Sequence, residues 1–118
     1  NRDKPIYEQI ISQIKNMIMS EELVAGDSLP SMRALAKSIH VSVITVQRAY
    51  EELQRDGFIE TEIGRGTYVL ARNKEFYKEQ QQKRIEEHLQ FAIEVAKENA
   101  IPLEKMIEIL KILYLEEE

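Results

Sequence analysis

The chain has 118 residues, 43% of them hydrophobic, with no cysteine and a formal net charge of −5. The lack of cysteine excludes disulfides and thiolate metal sites, and it suits a reducing cytoplasm, where we expect the protein to act. No apolar run is long enough to cross a bilayer and no N-terminal segment resembles a signal peptide, so neither export nor a membrane partner is expected.

The first predicted helix begins near Pro5, whose missing N–H is not needed in a first helical turn. Apolar residues recur along it at helical spacing and predict one buried face, formed by Ile6, Ile10, Ile14, Met17 and Ile18. Tyr7 lies beside this face and is interpreted as a core or rim residue, with contact to a partner or a phosphate as the alternative. The pattern fades at residues 21–22, and a turn is predicted at 25–27.

Two short helices separated by a three-residue turn at 40–42 are predicted next. Ser31 and Ser42 each suit an N-cap, because a serine hydroxyl accepts hydrogen bonds from the free N–H groups of a first helical turn. Each serine precedes an apolar stripe at helical spacing, namely Met32, Leu35, Ala36 and Ile39 in the first helix and Val46, Ala49, Tyr50 and Leu53 in the second. Gly57 suits a left-handed C-cap. This order is typical of a helix-turn-helix, whose second helix enters the major groove of DNA.

A β-hairpin is predicted to follow, because residues 58–63 and 67–70 mix β-branched side chains with near alternation. Gly64, Arg65 and Gly66 form a tight connection that leaves Arg65 at the tip. An arginine there can reach a phosphate or a minor groove, although an ordinary surface arginine is the alternative. The sequence thus predicts a mainly α fold with a small β-hairpin wing, a winged helix-turn-helix over residues 1–72.

The tail, residues 73–118, is predicted to form two helices, one from Lys74 to Asn99 and one opened by Pro102. Their apolar faces carry Leu89, Ile93, Leu103, Met106, Ile107, Leu110, Leu113 and Tyr114. Two short helices cannot bury this many apolar side chains against each other, and a patch of this size is adhesive when exposed. We therefore expect a two-helix dimerisation unit that self-associates as a bundle. Folding back onto its own winged helix is the alternative.

Several linked segments resemble the winged-helix domain of GntR-type bacterial transcription regulators. The resemblance is carried by residues 29–36 (LPSMRALA), 41–53 (VSVITVQRAYEEL), 56–59 (DGFI) and 64–69 (GRGTYV). These segments occur in the order seen in the family, and the resemblance covers about residues 5–70. The Val-Gln-Arg-Ala-Tyr run and the short tail are similar to the YtrA-type branch, whose members carry a small two-helix dimerisation unit.

The resemblance implies a homodimeric regulator, usually a repressor, that binds double-stranded DNA at an inverted-repeat operator. The residues expected to contact DNA are Arg33, Ser42, Val43, Ile44, Thr45, Gln47, Arg48, Arg65 and Gly66. Arg33 matches an arginine that relatives place against phosphates or base edges. Ser42, Thr45 and Gln47 match positions of the recognition helix that face DNA, and Gly66 with its neighbour Arg65 matches the wing position that approaches the minor groove.

The chain departs from the family pattern at Val43 and Gln47, where many relatives have arginine. Glutamine can pair bidentately with adenine, and an apolar Val43 or Ile44 can meet a thymine methyl group. We therefore expect A·T pairs at the centre of each half-site. For Val43 and Ile44, packing within the motif is the alternative interpretation.

The charge balance argues against strong non-specific DNA binding. Residues 1–71 hold 8 basic and 10 acidic side chains, whereas attraction to phosphates supplies much of the affinity for DNA. The acidic residues of the motif are expected to lie away from the DNA, namely Glu51, Glu52, Asp56, Glu60 and Glu62. The acidity favours an alternative function, a winged-helix protein-interaction or scaffold module without sequence-specific DNA binding.

No sequence feature indicates an enzyme, a cofactor or a metal site. A glycine-rich phosphate loop and a nucleophile elbow are both missing. His40 and His88 lie far apart and lack a cluster at ligand spacing, so His40 is expected to be a surface or capping residue and His88 a rim residue of the bundle. A metal ligand beside Glu87 and Glu94 is the alternative for His88. An unidentified small-molecule effector is compatible with control through the long tail helix, but no residue identifies one.

Overall fold

The computed structural model describes residues 3–116 and is mainly helical, with a small two-stranded antiparallel sheet. In chain order, the elements of this part are α1 (Ile6–Met19), α2 (Met32–Ile39), α3 (Val43–Arg55), β1 (Ile59–Glu62), β2 (Gly66–Val69), α4 (Lys74–Glu98) and α5 (Leu103–Leu115). The predicted winged helix followed by two helices is thereby confirmed.

The chain forms two compact units, one ending at Lys78 and the other beginning at Glu79. The division falls inside α4, a few residues after the position 72/73 that the sequence suggested as the boundary between functions. It falls there because Tyr77 in the first turn of α4 packs against the core of the first unit. The assignment of DNA binding to residues 1–72 and of dimerisation to 73–118 stays a prediction.

The core of the first unit is built around α3, which packs against both α1 and α2. Val46, Ala49 and Leu53 are completely buried, and the small Ala49 permits the close approach of the neighbouring helices. The core contains Ile10, Ile11, Ile14, Ile18, Ala36, Val46, Ala49, Tyr50, Leu53, Phe58, Ile59 and Val69. The stripes predicted from helical spacing are confirmed except at their ends, because Ile6 and Ile39 lie in terminal turns and are exposed.

Both predicted serine caps are present. The Ser31 hydroxyl accepts from the backbone N–H of Ala34 at 3.1 Å, and that of Ser42 accepts from Thr45 at 3.2 Å. Between the two helices, His40 takes a left-handed conformation with φ 59°, so it is the capping residue that the sequence indicated. The polypeptide therefore leaves α2 and enters α3 within three residues.

The wing is a hairpin in which Ile59 pairs with Val69 and Glu62 with Gly66. The loop is consequently formed by residues 63–65. Gly66 was predicted to lie in the connection, but it belongs to β2. Gly64 and Gly66 have φ of 84° and 86°, a region that glycine adopts without a steric penalty. Between α1 and α2, the turn predicted from 25–27 also pairs with β2. There the N–H of Val69 donates to the carbonyl of Asp27 at 2.8 Å.

The start of α4 is held to the winged helix by an aromatic cluster. The rings of Phe58 and Tyr77 meet edge to face with centroids 5.1 Å apart. The Lys15 ammonium lies about 5 Å from both ring centroids and 3.5 Å from the Asp56 carboxylate. Because Lys15 is largely buried, its cation–π contacts are partly shielded from water and stabilise this junction.

The second unit contains the rest of α4 and all of α5, joined by a tight turn. Ala100 is left-handed with φ 56°, and the N–H of Ile101 donates to the carbonyl of Ala96 at 2.9 Å, which is a Schellman ending. Pro102 precedes α5 as predicted. No residue of α5 is buried. The expected dimerisation residues Leu89, Ile93, Leu103, Ile107, Leu110, Leu113 and Tyr114 are exposed, and Met106 is half-buried.

Candidate nucleic-acid interface

The N-terminal half of α3 presents a free face opposite the core. Ser42, Val43 and Gln47 are exposed, and Ile44 is 76% exposed. Thr45 is half-buried, and its hydroxyl lies 2.8 Å from that of Ser42. Because the opposite face is buried in the core, the packing fixes the orientation of α3 within the first unit. Its exposed face is available to a partner.

Gln47 and Glu51 are bonded to each other on this free face. The side-chain amide of Gln47 donates from Nε2 to Oε1 of Glu51 at 3.0 Å, and both residues are exposed. Residues four apart in an α-helix lie on one side of it. The sequence interpretation placed Glu51 further along the helix and away from the DNA; in the structure it lies on the exposed face of α3 and contacts Gln47.

Arg48 is placed against α1. Its guanidinium carbon lies 3.7 Å from the centre of the Tyr7 ring, a stacked arrangement in which the edge of the guanidinium keeps its N–H donors. The Tyr7 hydroxyl donates to Glu8 at 3.3 Å, and the ring packs against the core. Tyr7 is thus a rim residue, as the sequence indicated, and it also supports an arginine beside the exposed face of α3.

Arg33 and Arg65 line one cleft between the start of α2 and the wing. The cleft has a volume of about 450 Å³. Its wall is formed by Ser28, Leu29, Ser31, Met32, Arg33, Thr61, Arg65, Gly66 and Thr67. Two residues that are 32 positions apart in the sequence therefore border the same space. This arrangement brings two arginine side chains to the border of one cleft.

Arg65 does not extend from the wing tip. Its guanidinium lies 3.6 Å from the centre of the Tyr68 ring, and Nη1 is 3.9 Å from the Glu62 carboxylate. Burial and then the neighbouring Glu62 carboxylate raise the pKa of Tyr68. Ile63 instead stands fully exposed in the loop. The sequence interpretation missed Ile63, although an isoleucine directly before a turn glycine was the signal available.

Residues 3–116 contain no group of three or more His, Cys, Asp or Glu side chains arranged to hold a metal ion. His40 and His88 are both exposed and lie in different units. Within the same residues, no helix has the length and apolar character that crossing a bilayer requires.

Comparison with known proteins gives concordant matches. The family model described as bacterial regulatory proteins, gntR family, matches residues 6–69. The HTH-type transcriptional repressor YtrA of Bacillus subtilis (strain 168) is 43% identical over 107 residues, which are 91% of this chain and 82% of that protein.

Two solved structures also resemble the whole chain. A transcriptional regulator from Oenococcus oeni superposes with a TM-score of 0.73 at 28% identity, covering 97% of this chain and 94% of that one. A GntR family transcriptional regulator from Listeria monocytogenes superposes with a TM-score of 0.69 at 35% identity, covering 94% and 96%.

Proposed function

This chain belongs to the GntR family of bacterial regulatory proteins, and on that premise we propose that it represses transcription as a homodimer bound to an inverted-repeat operator. It is a transcriptional regulator with a winged-helix fold and not an enzyme. The repressor role is proposed by likeness to the Bacillus subtilis protein named as a repressor. The proposed partner is double-stranded DNA in the cytoplasm.

The observation that carries the proposal is the asymmetry of α3. One face is completely buried, while the opposite face offers an exposed Gln47, the two apolar residues Val43 and Ile44, and a serine cap. An α-helix fits the major groove, where adenine pairs with glutamine and the thymine methyl group accepts apolar contact. This face therefore suits A·T pairs.

The cleft between α2 and the wing suits the phosphate backbone beside that groove. Arg33 and Arg65 line the cleft, and Ser31, whose hydroxyl caps α2, is also part of its wall. Contacts to phosphates fix the register of a protein on DNA without reading sequence. The exposed Ile63 near Arg65 then lies where a wing meets the minor groove, and apolar side chains are among those inserted there.

The second unit supplies the proposed dimer contact. The thirteen residues of α5 include none that is buried, and most of its side chains are apolar. Pairing of two copies removes this surface from water, which is favourable in proportion to the area covered. A two-fold dimer presents two α3 helices to half-sites about one DNA turn, roughly 34 Å, or a multiple apart.

Selection of bound duplexes from a random pool tests this function, followed by fluorescence polarisation at two salt concentrations. We expect an inverted repeat, and an affinity that falls as salt rises because phosphate contacts release counterions. Recovery of a single unrepeated site would contradict the dimer. Absence of any salt-dependent binding would contradict the function and support a protein-interaction module.

A further inference from the structure

The hydrogen bond between Gln47 and Glu51 sets an acidic side chain on the face proposed to meet DNA. A carboxylate there is repelled by phosphates, so it lowers the affinity for every sequence alike. It also accepts one of the two hydrogens on the Gln47 amide nitrogen, at 3.0 Å. We infer that Glu51 is a positioning residue. It holds the Gln47 amide in the orientation that can pair with adenine and cannot pair with guanine. The inference rests on the proposed function.

The glutamine side chain ends in a primary amide. It has one acceptor oxygen and a nitrogen with two hydrogens. When Glu51 takes one hydrogen, Gln47 keeps one donor and its acceptor. The opposite orientation of the amide places Oε1 against the Glu51 carboxylate, and two acceptors repel each other. Glu51 therefore selects one of the two amide orientations before any base is present.

The remaining donor and acceptor match one purine and not the other. Adenine presents the acceptor N7 and the amino donor N6 in the major groove, whereas guanine presents two acceptors, N7 and O6. An oriented Gln47 can pair with adenine through both groups, but its Oε1 faces O6 of guanine.

A freed Gln47 amide, in contrast, can rotate to turn its nitrogen toward O6 or N7 of guanine. Removal of Glu51 should thus raise the affinity for guanine more than that for adenine at the same base pair. This result separates positioning from simple charge repulsion, which raises the affinity for both sequences by the same factor. The acidic character of the motif then contributes to specificity at the expense of overall affinity.

The neighbouring residue provides a matched control. Glu52 has the same charge and belongs to the same helix, but it is half-buried and forms no side-chain hydrogen bond with Gln47. Glu51→Ala and Glu52→Ala change the net charge equally. Only the first removes the acceptor from the Gln47 amide.

A first measurement uses the free protein. Nitrogen-15 NMR of the Gln47 side-chain amide should show a shifted pair of hydrogen signals in Glu51→Ala and an unchanged pair in Glu52→Ala. If the two hydrogens give the same signals in Glu51→Ala as in the wild type, the hydrogen bond does not orient the amide in solution, and the inference is overturned without reference to DNA.

A second measurement uses the duplex selected from the random pool and its adenine-to-guanine variant at the pair that Gln47→Ala identifies. We expect Glu51→Ala to reduce the preference for adenine by roughly tenfold, within the range of a bidentate contact. Glu52→Ala should leave the ratio of dissociation constants unchanged. In the Gln47→Ala background, Glu51→Ala should also leave the ratio of dissociation constants unchanged. This double-mutant cycle isolates the coupling between Gln47 and Glu51.

An equal gain of affinity for both duplexes in Glu51→Ala overturns the inference and makes Glu51 a repulsive charge. A changed ratio in the Gln47→Ala background overturns it as well, because Glu51 then acts without Gln47. If the wild-type chain selects no duplex, the proposed function itself fails and this inference with it. These three failures are distinguishable because each is seen with a different protein: Glu51→Ala alone, the double variant, or the wild type.

Discussion

Two helices of equal length, α3 and α5, use their thirteen residues in opposite ways. In α3 four residues are buried, three of them completely, whereas no residue of α5 is buried although its composition is more apolar. The core of α3 is completed by α1, α2 and the wing of the same chain. An apolar helix without such cover requires another partner, and a second copy of the chain is the one that we propose.

The largest effect on the free energy of unfolding is expected when one leucine is truncated in each of the two helices. Leu53→Ala, at a fully buried site in α3, should lower the free energy of unfolding by about 2–5 kcal/mol at any protein concentration. Leu113→Ala, at an exposed site in α5, should matter only where dimers form. Urea unfolding at two protein concentrations measures both. Equal, concentration-independent losses would contradict the distinction.

A charge in α5 should break the dimer without unfolding the first unit. Leu110→Glu places a carboxylate on the apolar face, and its burial between two copies is strongly unfavourable. We expect light scattering to give the mass of a monomer, and operator affinity to fall by a hundredfold or more, on the order of the avidity lost. Lys111→Ala, which removes a charged side chain from the same helix, is the control. A persistent dimer in Leu110→Glu would refute this interface.

Alkaline pH should destabilise the α3 region through Tyr50. Burial raises the pKa of Tyr50 from 10.0 to about 12, and its hydroxyl donates to the Pro30 carbonyl at 2.9 Å. The folded chain keeps this proton longer than the unfolded chain. Stability from this group is therefore complete below pH 10 and lost between pH 10 and 12, by about 2 kcal/mol.

Tyr50→Phe should remove this part of the pH dependence, as seen in urea midpoints measured between pH 9 and 12. The matched variant is Tyr114→Phe, which deletes a hydroxyl from an 83% exposed ring of α5. Identical pH profiles for Tyr50→Phe and the wild type would show that the buried hydroxyl is not the cause.

The smallest effect concerns how the two helices begin. The Ser42 side chain caps α3, whereas α5 follows Pro102 with no side-chain cap. Ser42→Ala should reduce the free energy of unfolding by about 1 kcal/mol, because an N–H of the first turn loses its acceptor. Pro102→Ser should not reduce helix content measured by circular dichroism. A Ser42→Ala variant as stable as the wild type would mean that the cap is unimportant.

Most of the first unit followed from the sequence because its signals are local. Serine caps, helical spacing and turn glycines depend on a few neighbouring residues, and α2, α3 and the wing lie where these signals indicated. The predicted burial of Ile6 and Ile39, at the ends of two apolar stripes, was wrong because helical spacing does not indicate where a helix extends beyond the core.

The details of the site depended on contacts that spacing does not specify. The stacking of Arg48 on Tyr7 joins residues 41 positions apart, and that of Arg65 on Tyr68 bends the side chain back from the tip. The pairing of the 25–29 segment with β2 likewise joins distant backbone without an alternating pattern. The Gln47–Glu51 contact was within reach of the sequence, since four-residue spacing on a helix predicts it.

The most direct test of the account is the sequence preference of Gln47→Ala, measured by polarisation against the selected operator and all its single-base variants. We predict that discrimination is lost at one base pair of each half-site, at a cost of about 1–3 kcal/mol. Arg33→Ala, in contrast, should weaken binding to all sequences alike, because the contact that we propose for Arg33 is to a phosphate. A uniform loss in Gln47→Ala, or no loss, would contradict the reading of bases by the exposed face of α3.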